Sequence, residues 1–506
     1  MSTPPSADLV IFADKIIGSL DKPLFGQFIE LTDNCINGGL YDPNSPHARA
    51  DGLRLDVLEA LRELRPTHLR YPGGCAAAYF DWQELVGPKA ERPFAKLFRE
   101  HDQVQQTAFG IPEAWALCEE LGAQLYFAVN AHTQTPENAA NLVEYLNSTK
   151  PTKWANLRRA HGREEPYGVK IFGLGNEIYG DWQTGQKTAA EYSAWCREAI
   201  HQMKAVDSSI EIIACGYGRP DPSWDRKVLS ANVEQLDMIS LHNYFGHPNF
   251  DDNMAANLIL QEMIDGLNAN INEILDANLH CQKRPDIALD EWNIWYRFQR
   301  KPERRDEIYT AADALAFASL MQGVLRNCDT IALANTSMLC NVLGSIMTDK
   351  ERMVRQTTFY PQVMLHDAHA GHVVQSAVNA PTLPACHERF FNGIVDVEKA
   401  DDQTRPSLRR FDAMPALDAL VSRSETSATV SLVNKLQSEP LQVHLHWFGV
   451  KPEKQTVSIQ RLDCSDIDKA NTLDEPFNIV PTEDEVTLEG VLLLPPASLT
   501  VLKIAL

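Results

Sequence analysis

The chain has 506 residues, 44% of them apolar and 23% charged, enough for one large domain and a second, smaller one. With 46 basic against 68 acidic residues, its formal net charge of −22 argues against nucleic acid or an anionic membrane as partner and suits a neutral substrate such as a sugar. None of the ten cysteines lies in C-x-x-C spacing, which argues against a zinc site or a disulfide framework and for a reducing, cytoplasmic setting. Met1 to Ala7 is polar, and Leu9–Phe12 is too short for a secretory leader. No run of about 18 apolar residues reads as a membrane span.

In chain order, Leu9–Phe12 reads as a strand with no helix after it, so residues 1–20 are expected to join a later sheet. From residue 24 short apolar runs alternate with longer helical patterns. The runs Leu24–Glu30, His68–Gly73, Gln124–Asn130, Val169–Gly173, Glu211–Gly216, Met238–Tyr244, Ile287–Glu291 and Thr330–Ala334 predict eight strands. Helical periodicity covers Arg54–Leu64, Ala108–Leu121, Pro136–Leu146, Thr188–Val206, Trp224–Leu236, Met254–Ala277 and Asp306–Arg326, with Thr135 and Pro136 reading as an N-cap and a first-turn residue. Near-continuous apolar strands alternating with helices are parallel strands buried on both faces, and eight such units predict a (β/α)₈ barrel over 21–360. An open doubly wound sheet is the runner-up, disfavoured by the lack of a phosphate-binding glycine pattern after the first strand. After about residue 355 the helical period fades, and Ala428–Val433, Leu441–Phe448, Thr456–Leu462, Val486–Leu494 and Leu499–Ile504 predict a β-sandwich over 361–506.

A barrel gathers its catalytic groups at the C-terminal ends of its strands, so polar residues there are informative. Six of the eight predicted strands end in them: Glu30, Arg70, Asn130, Asn176-Glu177, His242-Asn-Tyr244 and Asp290-Glu291-Trp-Asn293. Glu177 and Glu291 follow apolar runs on the fourth and seventh strands, roughly opposite one another across the mouth. Two facing carboxyls are what glycosidic cleavage requires: about 5–5.5 Å apart for a retaining double displacement, about 6.5–9.5 Å for inversion. One must carry a proton for the leaving oxygen while the other is ionised to attack. Arg70 is the candidate cation for the ionised partner, and His242 the candidate to orient a carboxylate. Trp82, Trp182, Trp292, Trp295 and Tyr296 lie in or just past strand-end loops, where aromatic faces could stack on sugar, and the Gly180-Asp-Trp-Gln183 loop is the best leaving-group contact. Water and two carboxylates suffice for this chemistry, so no metal or organic cofactor is implied.

At these residues the sequence resembles glycoside hydrolase family 51, best known for α-L-arabinofuranosidases. The ordered matches include Phe25-Gly-Gln-Phe-Ile-Glu30, Arg70-Tyr-Pro-Gly-Gly74, Gly173-Leu-Gly-Asn-Glu177, Trp182-Gln183, Ser240-Leu-His-Asn-Tyr244, Asp290-Glu-Trp-Asn293 and Gln356-Thr-Thr-Phe-Tyr-Pro361. The resemblance implies a barrel with a β-sandwich, a retaining mechanism and a homo-oligomer, often a hexamer. It implies Glu177 as acid/base and Glu291 as nucleophile, with Glu30, Asn176 and Tyr244 holding the furanose of an oligosaccharide. Two positions depart from it: Cys75 stands where the family usually has Asn, and Met338 where it usually has Gln. Each lost hydrogen bond costs about 0.5–1.5 kcal/mol, or about 1–3 if a partner is left unsatisfied, so the pair predicts roughly 10- to 10⁴-fold weaker binding of the usual sugar. The expectation is an exo-acting retaining α-L-arabinofuranosidase. The alternatives are the same mechanism on another sugar and, less supported, a carbohydrate-binding protein without catalysis.

Overall fold

The computed structural model describes residues 3–96, 104–218, 221–296, 306–389, 408–450, 452–453 and 455–506. Eight strands close a barrel: Gly26–Phe28, His68–Tyr71, Gln124–Val129, Ile171–Leu174, Glu211–Ala214, Met238–Phe245, Asp286–Ile294 and Ile331–Thr336. All pair in parallel with their neighbours in sequence, and the eighth closes onto the first. Each expected strand is present, with ends moved by a few residues. Seven expected helices are also present, among them Pro136–Asn147, where the Thr135 hydroxyl accepts from Asn138 N–H. Helices Lys153–Ala160 and Phe359–Ala368 were not expected. The latter packs against helix Ala311–Arg326 and completes the helical ring, so after the barrel the chain returns to strands only at His372.

Period-two alternation builds the barrel interior. Tyr126, Ile171, Ile213, Met238, Ala288 and Leu333 point inward from six strands and form an apolar plug. Their chain neighbours, such as Phe127, Phe172, Ile212, Ile239 and Leu289, point outward under the helices. Along the sixth strand the inward series runs Met238, Ser240, His242, Tyr244, so the lining turns from apolar to polar toward the mouth.

The second domain is a nine-stranded sheet that includes Ser6–Ser19, parallel to Leu441–Phe448 and antiparallel to His372–Asn379. The join between His372–Asn379 and Leu417–Arg423 is only two residue pairs long. On either side of it Leu9, Ile11, Val443 and Leu445 share one core with Val430, Leu432, Ile459 and Leu502. The sheet is therefore folded over on itself as a sandwich. The single strand expected over Val486–Leu494 is two, Thr482–Leu488 and Val491–Leu494, because Gly490 takes φ +86° and reverses the chain.

Barrel and sandwich share a core in which Leu320, Val324, Leu420, Val433 and Val501 are buried together. At this seam the Asp418 carboxylate is reached by Arg326 Nη1 at 2.6 Å, by Asn257 Nδ2 at 2.7 Å and by the Ser319 hydroxyl, with Lys435 Nζ at 3.7 Å. Burial would raise this carboxyl, but the two cations hold it well below the usual carboxylate range.

Candidate active site

Strand ends supply the groups at the barrel mouth. In Gly173-Leu-Gly-Asn-Glu177 each glycine has a spatial reason. A Cβ on Gly173 would lie 2.3 Å from the Tyr126 hydroxyl, and Gly175 takes φ +85°. Glu177 itself has φ +44°, a conformation that costs a non-glycine residue on the order of 1–3 kcal/mol and that concentrates at functional sites. The turn swings its side chain off the strand line and over the lumen.

On the seventh strand, alternation alone would send Asp290 and Glu291 to opposite faces. Here Ala288 pairs with Ser240 and Glu291 with His242, so three steps on one strand match two on the other. The extra residue is a β-bulge, and it lets both carboxylates face inward. Asp290 lies one layer deeper than Glu291.

Glu291 is held at both oxygens: Tyr244 Oη donates to Oε1 at 2.7 Å and Arg70 Nη1 to Oε2 at 2.7 Å. Arg70 also donates to Asn176 Oδ1 at 2.8 Å, and its Nε lies 3.7 Å from Asp290 Oδ2. Although burial opposes it, the surrounding Asp290, Tyr126 and Glu291 keep Arg70 charged. Trp182 Nε1 reaches Glu177 Oε2 at 3.2 Å, and His242 Nδ1 lies 3.2 Å from Glu177 Oε1. Burial pulls the His242 ring down, but Glu291 and Asp290 outweigh it and lift it to about 10, so at neutral pH the ring is an imidazolium donating from both nitrogens. Burial, with the Glu291 charge adding and the Ala76 N–H opposing, pushes Glu30 up to about 7. Burial likewise holds Tyr126 and Tyr244 well above the usual phenol value, so both remain donors.

One ligand atom each from Glu177, His242 and Glu291 lies within 4.8 Å of the other two. Among the described residues this is the group close enough to hold an ion, but the imidazolium would first have to lose a proton. One carboxyl oxygen of Glu177 thus lies within 4.8 Å of one of Glu291, an approach that suits the separation of about 5–5.5 Å used for double displacement better than the roughly 6.5–9.5 Å that leaves room for water between.

The other expected residues divide. Glu30 lies at the mouth, its Oε1 accepting from Ala76 N–H at 2.8 Å. Cys75 Sγ accepts from Gln183 Nε2 at 3.0 Å, with Asn176 Nδ2 at 3.9 Å. Met338 packs with Phe28, Cys35, Val342 and Leu343 beside Tyr244. Trp292 is a correction: as an outward residue it is fully buried against Phe317 of the helix behind the barrel and reaches no sugar site. Trp82 packs on Tyr145 and Trp154, and the buried Tyr296 donates to Asp313, so of the five strand-end aromatics only Trp182 and Trp295, which stands edge-on to Tyr244, flank the mouth. Asn130 binds the carbonyls of Ala78 and Phe80 and fixes a loop. Sequence reasoning passed over Tyr126 and gave Ser240 no role of its own, although both were available from the alternation of the third and sixth strands.

The Gly73-Gly74 pair shows how tightly the mouth is packed. A Cβ on Gly73 would lie 2.2 Å from Glu30 Cγ, and one on Gly74 would lie 2.9 Å from Glu291 Oε2. Because the nearest obstacle at Gly74 is the far end of a side chain, with Phe28 Cζ at 3.1 Å and Asn176 Oδ1 at 3.2 Å next, Gly74→Ala should displace Glu291 and leave the fold intact. Turnover is expected to fall about 100-fold, the loss typical of an ångström-scale misplacement, with little change in the thermal unfolding midpoint.

Comparison with known proteins agrees with this geometry. The profile of the α-L-arabinofuranosidase 1 domain matches residues 60–257, and that of the α-L-arabinofuranosidase C-terminal domain matches 290–498. The intracellular exo-α-(1→5)-L-arabinofuranosidase 1 of Bacillus subtilis is 31% identical over 94% of this chain and 93% of its own length. The chain belongs to glycoside hydrolase family 51. Among solved structures, the α-L-arabinofuranosidase of Thermotoga maritima in its arabinose complex superposes with TM-score 0.89 at 29% identity, covering 99% of this chain and all of that one. The family 51 α-L-arabinofuranosidase of Bifidobacterium longum superposes with TM-score 0.88 at 27% identity over 99% of this chain and all of that one. As a family 51 member the chain is a glycosidase acting on carbohydrate. Its second profile match begins at Asp290, inside the barrel, so the two matches divide the barrel mouth between them: Glu177 lies in one and Glu291 in the other.

Proposed function

We propose that this glycosidase releases terminal non-reducing α-L-arabinofuranosyl residues from arabino-oligosaccharides with retention of configuration, Glu291 serving as nucleophile and Glu177 as acid/base. The observation that carries the reading is the approach of the two carboxylates, whose ligand atoms lie within 4.8 Å. Glu291 attacks the anomeric carbon, the bond to the leaving oxygen breaks, and that oxygen takes the proton of Glu177. Water, deprotonated by Glu177, then attacks the same carbon and releases Glu291 from its ester. Arg70 and Tyr244 hold both oxygens of Glu291 and aim it, while His242 and Trp182 stabilise the charge left on Glu177 after the first step. Glu30 and Asn176 are placed to grip the furanose hydroxyls.

Hydrolysis of an α-(1→5)-linked arabino-oligosaccharide, followed by NMR from the first turnovers, tests this. Arabinose released as the α anomer, one unit at a time, is the expected result; initial β anomer, or internal cleavage, overturns it.

A second reading keeps the mechanism and shifts the sugar. Cys75 and Met338 put a thiol and a thioether on the wall of the mouth, the first against Gln183 and the second among apolar side chains. On this reading Cys75→Asn combined with Met338→Gln should raise kcat/KM on aryl α-L-arabinofuranoside by 10-fold or more, since each 1.4 kcal/mol recovered is about tenfold. It should lower activity on whichever other aryl glycoside the unaltered protein prefers. If the unaltered protein is already specific for arabinofuranoside, only the first reading stands.

The names of relatives such as the Bacillus subtilis protein support a cytoplasmic location, as do ten cysteines with no disulfide among them. No helix among the described residues is long and apolar enough to cross a membrane. We infer also that the chain forms a homo-oligomer, which light scattering tests directly.

A further inference from the structure

Beneath the catalytic pair lies a carboxylate that cannot touch the substrate. Asp290 is 1% exposed, and both its oxygens are engaged from below and beside the lumen. Oδ2 accepts from the Tyr126 hydroxyl at 2.6 Å and faces Arg70 Nε at 3.7 Å. Oδ1 accepts from the Ser240 hydroxyl at 2.6 Å and from His242 Nε2 at 3.1 Å. The other nitrogen of the same ring, Nδ1, lies 3.2 Å from Glu177 Oε1 and 3.7 Å from Glu291 Oε2. Asp290, His242 and Glu177 thus form a line, with the imidazole in the middle and the second catalytic carboxylate to one side.

We propose that Asp290 is a positioning residue: it fixes His242 as a doubly protonated bridge to Glu177 and so controls when Glu177 is ionised. The inference rests on Glu177 being the acid/base. In the free protein the ring lies between two ionisable carboxyls at the mouth, and Glu291 competes with Glu177 for it. Once Glu291 is tied up as a neutral ester, the full attraction of the imidazolium falls on Glu177. That favours the ionised form at the stage where Glu177 must take a proton from water. Asp290 makes this possible by keeping the ring charged and its Nδ1 a donor, much as a buried carboxylate orients the imidazole in a hydrolase triad.

The groups facing this line come from every neighbouring strand. His242 meets Glu177 from the fourth strand end, Asp290 and Glu291 from the seventh, and Ser240 and Tyr244 on its own strand. Asp290 meets Arg70 of the second strand and Tyr126 of the third, with His68 of the second strand and Cys215 beyond the fifth in electrostatic reach. Burial alone would raise the Asp290 carboxyl, but His242 and Arg70 hold it well below the usual range, so its charge persists wherever the protein works.

Asp290→Asn keeps the shape and removes the charge. With an α-(1→5)-linked arabino-oligosaccharide as substrate, whose departing oxygen needs the proton of Glu177, the alkaline limb of its kcat/KM profile should move to higher pH by about one unit, because the cation favouring ionised Glu177 is lost. Its kcat should fall at least about tenfold. Ser240→Ala, which removes one hydrogen bond but no charge, should leave the limb in place. A lower amplitude with unmoved limbs in Asp290→Asn, or an equal movement in Ser240→Ala, would make Asp290 a packing residue and overturn the proposal. Should Asp290→Asn not fold, nitrogen NMR of the unaltered protein decides the matter, with the His242 signal identified by its loss in His242→Gln. Both ring nitrogens should remain protonated at pH 8, where an ordinary histidine, titrating near about 6.5, is neutral. A neutral ring at that pH overturns the proposal. The leaving-group dependence of Glu177→Ala tests the acid/base assignment separately, so failure of that assignment and failure of this inference are distinguishable.

Discussion

Glu291→Ala should reduce arabinofuranoside hydrolysis by at least about 10⁴-fold, the scale of loss when a covalent nucleophile is removed from an otherwise intact site. The reason is chemical rather than structural: no other carboxylate among the described residues can take its place. Asp290 sits a layer below with both oxygens engaged, and Glu30 is committed to Ala76 N–H. The loss should appear on every substrate whatever its leaving group, because the bond to the anomeric carbon cannot form. Removing one partner of a buried pair also destabilises, by about 3–5 kcal/mol. Arg70 retains Asp290 at 3.7 Å, so the cost should fall toward the lower end. Glu291→Gln, which keeps the volume, separates the two effects. Initial rates on aryl and oligosaccharide substrates, read beside the unfolding midpoint, check both. Activity within tenfold of the unaltered protein in either variant would remove Glu291 from the mechanism.

Glu177→Ala should behave differently. Its loss should depend on the leaving group: about 10²–10⁴-fold for an oligosaccharide, whose departing oxygen needs a proton, and far less for an aryl group that leaves as a stable anion. For the good leaving group the first step stays fast and the second becomes slow, so a burst of released phenol should precede a low steady rate. Azide, which needs no base, should then accelerate turnover and yield the glycosyl azide. Equal loss on all leaving groups, with no burst and no effect of azide, would mean that Glu177 is not the proton donor. His242 and Trp182, each 3.2 Å from its oxygens, should remain in place, since their other contacts do not involve Glu177.

What could be read in advance, and what could not, follows the range of the interactions involved. The eight barrel strands were legible because strands covered on both faces must be apolar almost throughout, a local property. Helix Phe359–Ala368 was missed because it is buried among the barrel and the sandwich and lacks an amphipathic stripe. Strand Leu417–Arg423 was missed although six of its seven residues are buried. It carries Asp418 in that buried run, a charge that only Arg326, Asn257, Ser319 and Lys435 make tolerable, and none of these is a chain neighbour.

The same division runs through the site. The amino-acid order by itself determined that Glu177 and Glu291 follow apolar strands, that glycines precede the first, that Arg70 ends the second strand, and that His242 and Tyr244 end the sixth. These are consequences of period and of position along a strand, and chain closure into a barrel brings the end of the second strand and that of the sixth to one rim. Only the tertiary structure decided that Asp290 and Glu291 both face inward and Trp292 outward, because one extra residue in the ladder with the sixth strand shifts the alternation. Only it decided that His242 stands between three carboxylates and is held as a cation, since the charge on a buried ring depends on what surrounds it and not on what flanks it in the chain.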